Sequence, residues 1–132
     1  MKKYLLEMFS YAKHAAVNAH VPLCQFHVGA CIRTVEGKLF NGCNWENEAT
    51  PLSQCAETSA LSAMLTAGYR KISDIVLVTP EFACTPCGAC RQRLIQFSNQ
   101  KTMFYSYNRD EVLLKTIKLN KLLPEVFTWQ AS

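Results

Sequence analysis

Apolar residues near the start of the chain return at three- and four-residue steps: Leu5, Met8, Phe9, Ala12, Ala15, Ala16 and Ala19. That is the period of an amphipathic helix, predicted over residues 3–19 and followed by Pro22. Residues 28–35 and 38–44 read as two strands, and Glu36-Gly37 supplies turn chemistry between them, so a hairpin is expected. After a polar loop at 47–53, residues 55–67 carry helix-compatible side chains up to a stop at Gly68. Ile75-Val76-Leu77-Val78 is a continuous apolar run between Asp74 and Pro80, as expected of a central strand covered on both faces. Residues 88–97 predict a third helix, 102–107 a strand, and 111–119 a strand of weaker pattern.

There is no internal repeat and no low-complexity segment. Strands interleaved with helices after an initial hairpin predict an α/β fold, a three-layer α/β/α sandwich around a mixed sheet of about five strands. A length of 132 residues, about half of them apolar, suits one domain over 1–132 that buries roughly two-thirds of its unfolded surface.

Composition narrows the setting. No stretch approaches the roughly 18 apolar residues of a membrane span, so no membrane partner is expected. Lys2-Lys3 before Tyr4-Leu5-Leu6 resembles the start of a secretory signal, but Glu7, Ser10, Lys13 and His14 interrupt it, and the N-terminus reads as a mature helix. The seven cysteines are an odd number, and three are better explained as metal ligands than as a disulfide framework, which points to a reducing, cytoplasmic location. The net charge of +4 is dispersed, with no basic run longer than two residues, and no nucleic-acid partner is expected.

The chemistry is concentrated in Cys55-Ala56-Glu57 and in Pro86-Cys87-Gly88-Ala89-Cys90, whose first cysteine stands thirty positions after that glutamate. Three thiolates fill three corners of a zinc tetrahedron and leave the fourth for water, whose pKa zinc lowers to about 7 in favourable sites. Glu57, two residues from a ligand, is placed to handle that water's proton without binding the metal. If Cys55 and Cys87 open their helices, two positive helix ends converge on the metal and favour thiolate over thiol. Cys84 extends the second motif to Cys-x-x-Cys-x-x-Cys and is the obvious fourth ligand if the zinc were structural. Cys24, Cys31 and Cys43 read as small buried hydrophobes, with Cys31 and Cys43 able to face each other across the hairpin. His14, His20 and His27 are not needed as ligands. Asn44 and Glu46, two positions apart near a strand end, aim at one side and suit sugar hydroxyls as well as turn capping, while Trp45 between them points away as core or interface filler.

The Cys/Glu/Cys/Cys arrangement is the signature of zinc-dependent base deaminases. Together with Phe26-His27-Val28-Gly29-Ala30, Gly42-Cys43-Asn44-Trp45-Glu46-Asn47, Cys90-Arg91-Gln92 and Leu122-Leu123-Pro124, it resembles the small homotetrameric cytidine deaminases over nearly the whole chain. The resemblance implies one Zn2+ per subunit on Cys55, Cys87 and Cys90, with Glu57 as proton shuttle in the hydrolytic deamination of cytidine and 2′-deoxycytidine. It implies substrate contacts from Asn44 and Glu46 to the ribose, from Phe26 to the base, from the Ala56 N–H and the Thr85 carbonyl to the ring substituents, and from Phe127 of a neighbouring subunit. The residue after the catalytic glutamate is often an arginine that donates to the sulfurs. Here it is Thr58, so Thr58, the two helix ends and Arg91 are expected to share that task. His27, Trp45, Glu48 and Thr50 also depart from the pattern around the pocket. A modified cytosine nucleoside, or a cytosine-containing antibiotic such as blasticidin S, is the alternative substrate.

Overall fold

The computed structural model describes residues 2–129. Helix α1 (Lys3–Val17) precedes the hairpin β1 (Gly29–Thr34) and β2 (Leu39–Cys43). Helix α2 (Ala56–Thr66), strand β3 (Ile72–Thr79), helix α3 (Gly88–Ile95) and strands β4 (Met103–Asn108) and β5 (Leu113–Lys118) complete the order. The sheet runs β2-β1-β3-β4-β5, antiparallel except for the parallel β3–β4 pair that α3 bridges, so it is mixed and five-stranded as expected.

The apolar run of β3 explains the layering. Ile75 and Leu77 join a core with Ala60, Met64 and Leu94 under α2 and α3, while Val76 and Val78 join Met8, Phe9 and Ala12 of α1 on the other face. Alternate side chains of one central strand thus serve two cores, which is why its sequence shows no polar positions in that run. Phe9 meets Tyr107 edge-on, ring centroids 5.4 Å apart, in the α1 layer.

Element ends differ from the sequence reading for identifiable reasons. Helix α1 stops at Val17, two residues early, because His20 is recruited by the hairpin: its N–H donates to the Asn44 carbonyl (3.2 Å) and its carbonyl accepts from the Glu46 N–H (2.8 Å). Strand β3 begins at Ile72, three residues before the apolar run, because Asp74 pairs with Arg33 across the sheet (3.4 Å) and accepts from the Ser73 hydroxyl (2.8 Å). The hairpin turn is as predicted: Thr34 pairs with Lys38, and Gly37 takes a positive φ of 91°. Cys31 lies opposite Asn41, and Cys43 opposite Gly29, so the two cysteines do not face each other, and Cys24 is exposed instead of buried.

Gly29 lets β1 press against α1. A Cβ there would run into the Ala12 carbonyl, which is helix backbone and has nowhere to go. Gly29→Ala is therefore expected to destabilise the fold by about 3 kcal/mol, the upper part of the overpacking range, read as a lower midpoint in urea at unchanged slope.

Candidate metal centre and catalytic cleft

The carboxyl end of β3, the start of β1 and the end of β2 lie side by side, since Gly29 pairs with both Val78 and Cys43. Two helices begin at this edge. Cys55 is the residue before the first turn of α2 and Cys87 the residue before the first turn of α3, both in extended backbone conformation (ψ 154° and 166°). Cys90 follows one helical turn into α3 and is fully buried. The helix starts predicted from the two motifs are therefore where the thiols sit, each at a positive helix end.

The three sulfurs lie within 4.8 Å of one another, with Cys55 Sγ and Cys87 Sγ 3.8 Å apart. Three corners of a tetrahedron with Zn–S bonds of ~2.3 Å are about 3.8 Å apart, so the cluster fits zinc in distance as well as in donor type. Among the described residues this is the one cluster of metal-binding side chains. Cys84 is not in it; its thiol lines the neighbouring cleft, where burial and then the nearby Glu57 carboxylate push it up.

Electrostatics sort the three sulfurs. Hydrogen bonding with Cys55 does most to hold the Cys90 thiol well below its ordinary range, against burial and with help from Thr58, Cys87 and the Arg93 charge. Cys55 is pushed up, first by that same hydrogen bond to Cys90 and then by burial. Glu57, in the first turn of α2, is only 5% exposed. Burial, followed by the negative sulfur of Cys90, raises its carboxyl to about 7, against its own backbone N–H. A carboxyl poised there exchanges protons readily at neutral pH.

Glu57, Cys55, Ala56, Thr85, Asn44 and Glu46 all line one cleft of about 450 Å³, within the size range of small-molecule sites. Ala56 opens α2, so its N–H has no intrahelical partner to satisfy it. The two polar residues of the strand end are engaged with their own loop. Asn44 accepts from the Val28 N–H (2.9 Å) and donates to the Phe26 carbonyl (2.8 Å). Glu46 accepts from the Leu23 N–H (2.8 Å) and the Cys24 N–H (3.3 Å). The Glu46 carboxyl sits below its ordinary range: desolvation is the largest single influence and pushes it up, but the Leu23 and Cys24 donors and His20 together outweigh it. Turn capping, one of the two readings of the pair, is thus what both side chains do, with the cleft at their side.

Other expected positions fall differently. The Phe26 ring rests on Phe82 (centroids 5.3 Å apart) and is not among the residues lining the cleft. Trp45 is not core filler, since it is 38% exposed and belongs to the cleft wall. Phe127 is 72% exposed and lies away from this cleft. Arg91 makes no bond to a sulfur. Its guanidinium donates to the carbonyls of Pro86 (2.7 Å) and Leu122 (2.8 Å) and to the Thr85 hydroxyl (2.8 Å), tying the ligand loop to the C-terminal turn. Thr58 does reach a sulfur, 3.3 Å from Cys90 Sγ, and Arg93 donates to the Thr58 hydroxyl at 3.3 Å. The sequence reading missed Arg93. Its spacing, three residues after Cys90 on a helix, is the signal that marks it as a neighbour.

Known proteins agree with this geometry. The family model described as the cytidine and deoxycytidylate deaminase zinc-binding region matches residues 2–106. A cytidine deaminase of Mycoplasma genitalium is 39% identical over 112 residues, covering 83% of this chain and 84% of the relative. One from Sporosarcina psychrophila is 33% identical over 123 residues, 92% of this chain and 90% of the relative. The crystal structure of cytidine deaminase from Burkholderia pseudomallei superposes with a TM-score of 0.86 at 35% identity, over 96% of this chain and 100% of that one. With three sulfurs at zinc spacing, a buried carboxyl beside them and a family match across most of its length, the chain belongs to the zinc-dependent cytidine and deoxycytidylate deaminase family.

Proposed function

We infer that this protein is a zinc-dependent hydrolase that deaminates cytidine, turning cytidine and water into uridine and ammonia. The observation that carries the reading is the buried Glu57 carboxyl beside the Cys55/Cys87/Cys90 triangle on one cleft. Zinc, when bound by the three thiolates, supplies an activated water as the nucleophile. The chain's own residues do the rest. Glu57 carries a proton to ring N3 of the pyrimidine and then one to the departing amine. The Ala56 N–H donates to the ring carbonyl, and the Thr85 carbonyl accepts from the amine. Asn44 and Glu46 shape the sugar side by fixing the loop of residues 23–28, and the second lone pairs of their oxygens serve the ribose hydroxyls.

The reading extends to 2′-deoxycytidine, to a cytoplasmic location and to a homotetramer in which Phe127 reaches a neighbouring subunit's cleft. Support for the last comes from Phe127 itself, held by its carbonyl to Gln92 Nε2 (3.2 Å) with its ring in solvent. All seven cysteines are free, which suits a reducing compartment. No helix among the described residues is long and apolar enough to cross a membrane. The relatives named above are cytidine deaminases, which favours a simple nucleoside over the antibiotic as substrate.

Purified protein incubated with cytidine, deoxycytidine and 5-substituted analogues, with and without a chelator, tests substrate and metal together. Turnover of cytidine is expected, abolished by the chelator and regained with added zinc. A zinc-loaded protein that turns over none of these nucleosides would overturn the reading.

A further inference from the structure

Three thiolates on a divalent ion leave one excess negative charge, and nothing within the ligand set offsets it. One hydrogen-bonded path leads from the sulfurs to a cation. Thr58 Oγ1 lies 3.3 Å from Cys90 Sγ, and Arg93 Nη1 donates to the same oxygen at 3.3 Å. A guanidinium only donates, so the hydroxyl accepts from Arg93 and its own proton is left for the sulfur. The path is built by two helices at once. Thr58 stands three residues after Cys55 on α2, and Arg93 stands three after Cys90 on α3, each one turn along from a ligand. The other nearby guanidinium, Arg91, is committed to the Pro86 and Leu122 carbonyls and the Thr85 hydroxyl.

We propose that Arg93 is a positioning residue of the metal centre: through the Thr58 hydroxyl it holds the Cys90 sulfur in ligating position and offsets the excess charge of the three-thiolate cluster. This rests on the zinc-deaminase reading above. Arg93 does not line the cleft and makes no bond to a sulfur; its exposed guanidinium acts on Cys90 through space only against solvent screening, and the Thr58 hydroxyl is its bonded route to the cluster. Thr58 is then not a weaker stand-in for a charged donor. It is the link that lets a charge on the next helix reach the ligand.

The test compares zinc-loaded wild type with Thr58→Val, Arg93→Met, the double variant and Arg93→Lys. Two readouts are taken: the rate of zinc release into excess chromophoric chelator, and kcat with KM on cytidine. Thr58→Val and Arg93→Met are each expected to release zinc faster and to lose kcat about tenfold, the low end for partners that orient metal ligands, with KM unchanged. Because either change breaks the same path, the double variant is expected to be no worse than Thr58→Val. Arg93→Lys, still a cationic donor, is expected to recover most of both losses. Unchanged release rates, or losses that simply add in the double variant, overturn the proposal. So does a fall in the melting temperature of the zinc-free protein that matches the kinetic losses and is not rescued by lysine, since the bond would then only clamp α2 to α3. Absence of turnover in wild type bears on the functional reading instead, and the release series still judges the relay.

Discussion

Glu57→Gln is expected to lower kcat on cytidine by about 10⁴-fold or more while leaving zinc content at one per chain. The amide has the size of the carboxyl and keeps hydrogen-bonding capacity, so the first turn of α2 and the walls of the cleft stay in place. What it loses is the ability to take up and release a proton, which deamination requires both at the ring nitrogen and at the leaving amine. Burial, and next the charge of Cys90, raise the Glu57 carboxyl to about 7, which suits a group that must both take up and give a proton near neutrality. The amide has one state only. Glu57 is not among the three clustered ligands, which is why the metal is expected to remain. Stability should hold or rise, because a buried ionisable group is replaced by a neutral one of equal shape. Kinetics, zinc analysis and a thermal melt on one preparation check all three. Retention of more than about a hundredth of wild-type kcat would place the proton shuttle elsewhere.

The parts of this molecule legible in its sequence are those governed by period and by donor type. Helix α1, the hairpin, the doubly covered β3 and the two helix starts at Cys55 and Cys87 follow from local patterning, and the mixed sheet follows from their order. β5 was weak in sequence because it is an edge strand with most of its side chains in solvent, so no core face imprints a pattern on it. The misjudged residues are those whose partners lie far along the chain. His20 leaves α1 to pair with the hairpin, and Asp74 enters β3 because Arg33 is opposite, neither of which periodicity encodes. The two arginines of α3 make the same point more sharply. Arg91 stands next to a ligand in sequence and turns to backbone oxygens, whereas Arg93, two residues on, faces α2 and meets Thr58. Neighbourhood in sequence placed the sulfurs correctly because a helix fixes residues one turn apart. It also found Thr58, which reaches Cys90, but chose Arg91 over Arg93, because the contact that commits Arg93 to Thr58 crosses from one helix to the other.

Removing one ligand is expected to have the other large effect, and Cys87→Ala isolates it. Cys90 also fills the core beneath α2 and α3, so truncating it mixes metal loss with a cavity. Cys87 is exposed, and its side chain makes no capping bond to α3, so the zinc-free variant should be within about 0.5 kcal/mol of zinc-free wild type. Its sulfur is nevertheless a full corner of the triangle. Taking zinc binding energies in protein thiolate sites to be on the order of 10 kcal/mol, loss of one ligand in three costs ~3 kcal/mol, or a little over 10²-fold in affinity. Dialysed Cys87→Ala should therefore carry little zinc and show no turnover above background. Because zinc binds the folded state, wild type should melt higher loaded than chelated, and that difference should vanish in the variant. Cys84→Ala provides the contrast. It sits three residues earlier in the same Cys-x-x-Cys-x-x-Cys run and lines the same cleft, but it lies outside the sulfur cluster. It should keep full zinc content and the full zinc-dependent melting shift. Loss of zinc from Cys84→Ala, with retention by Cys87→Ala, would move the metal to a different set of three sulfurs and overturn the triangle on which the site is built.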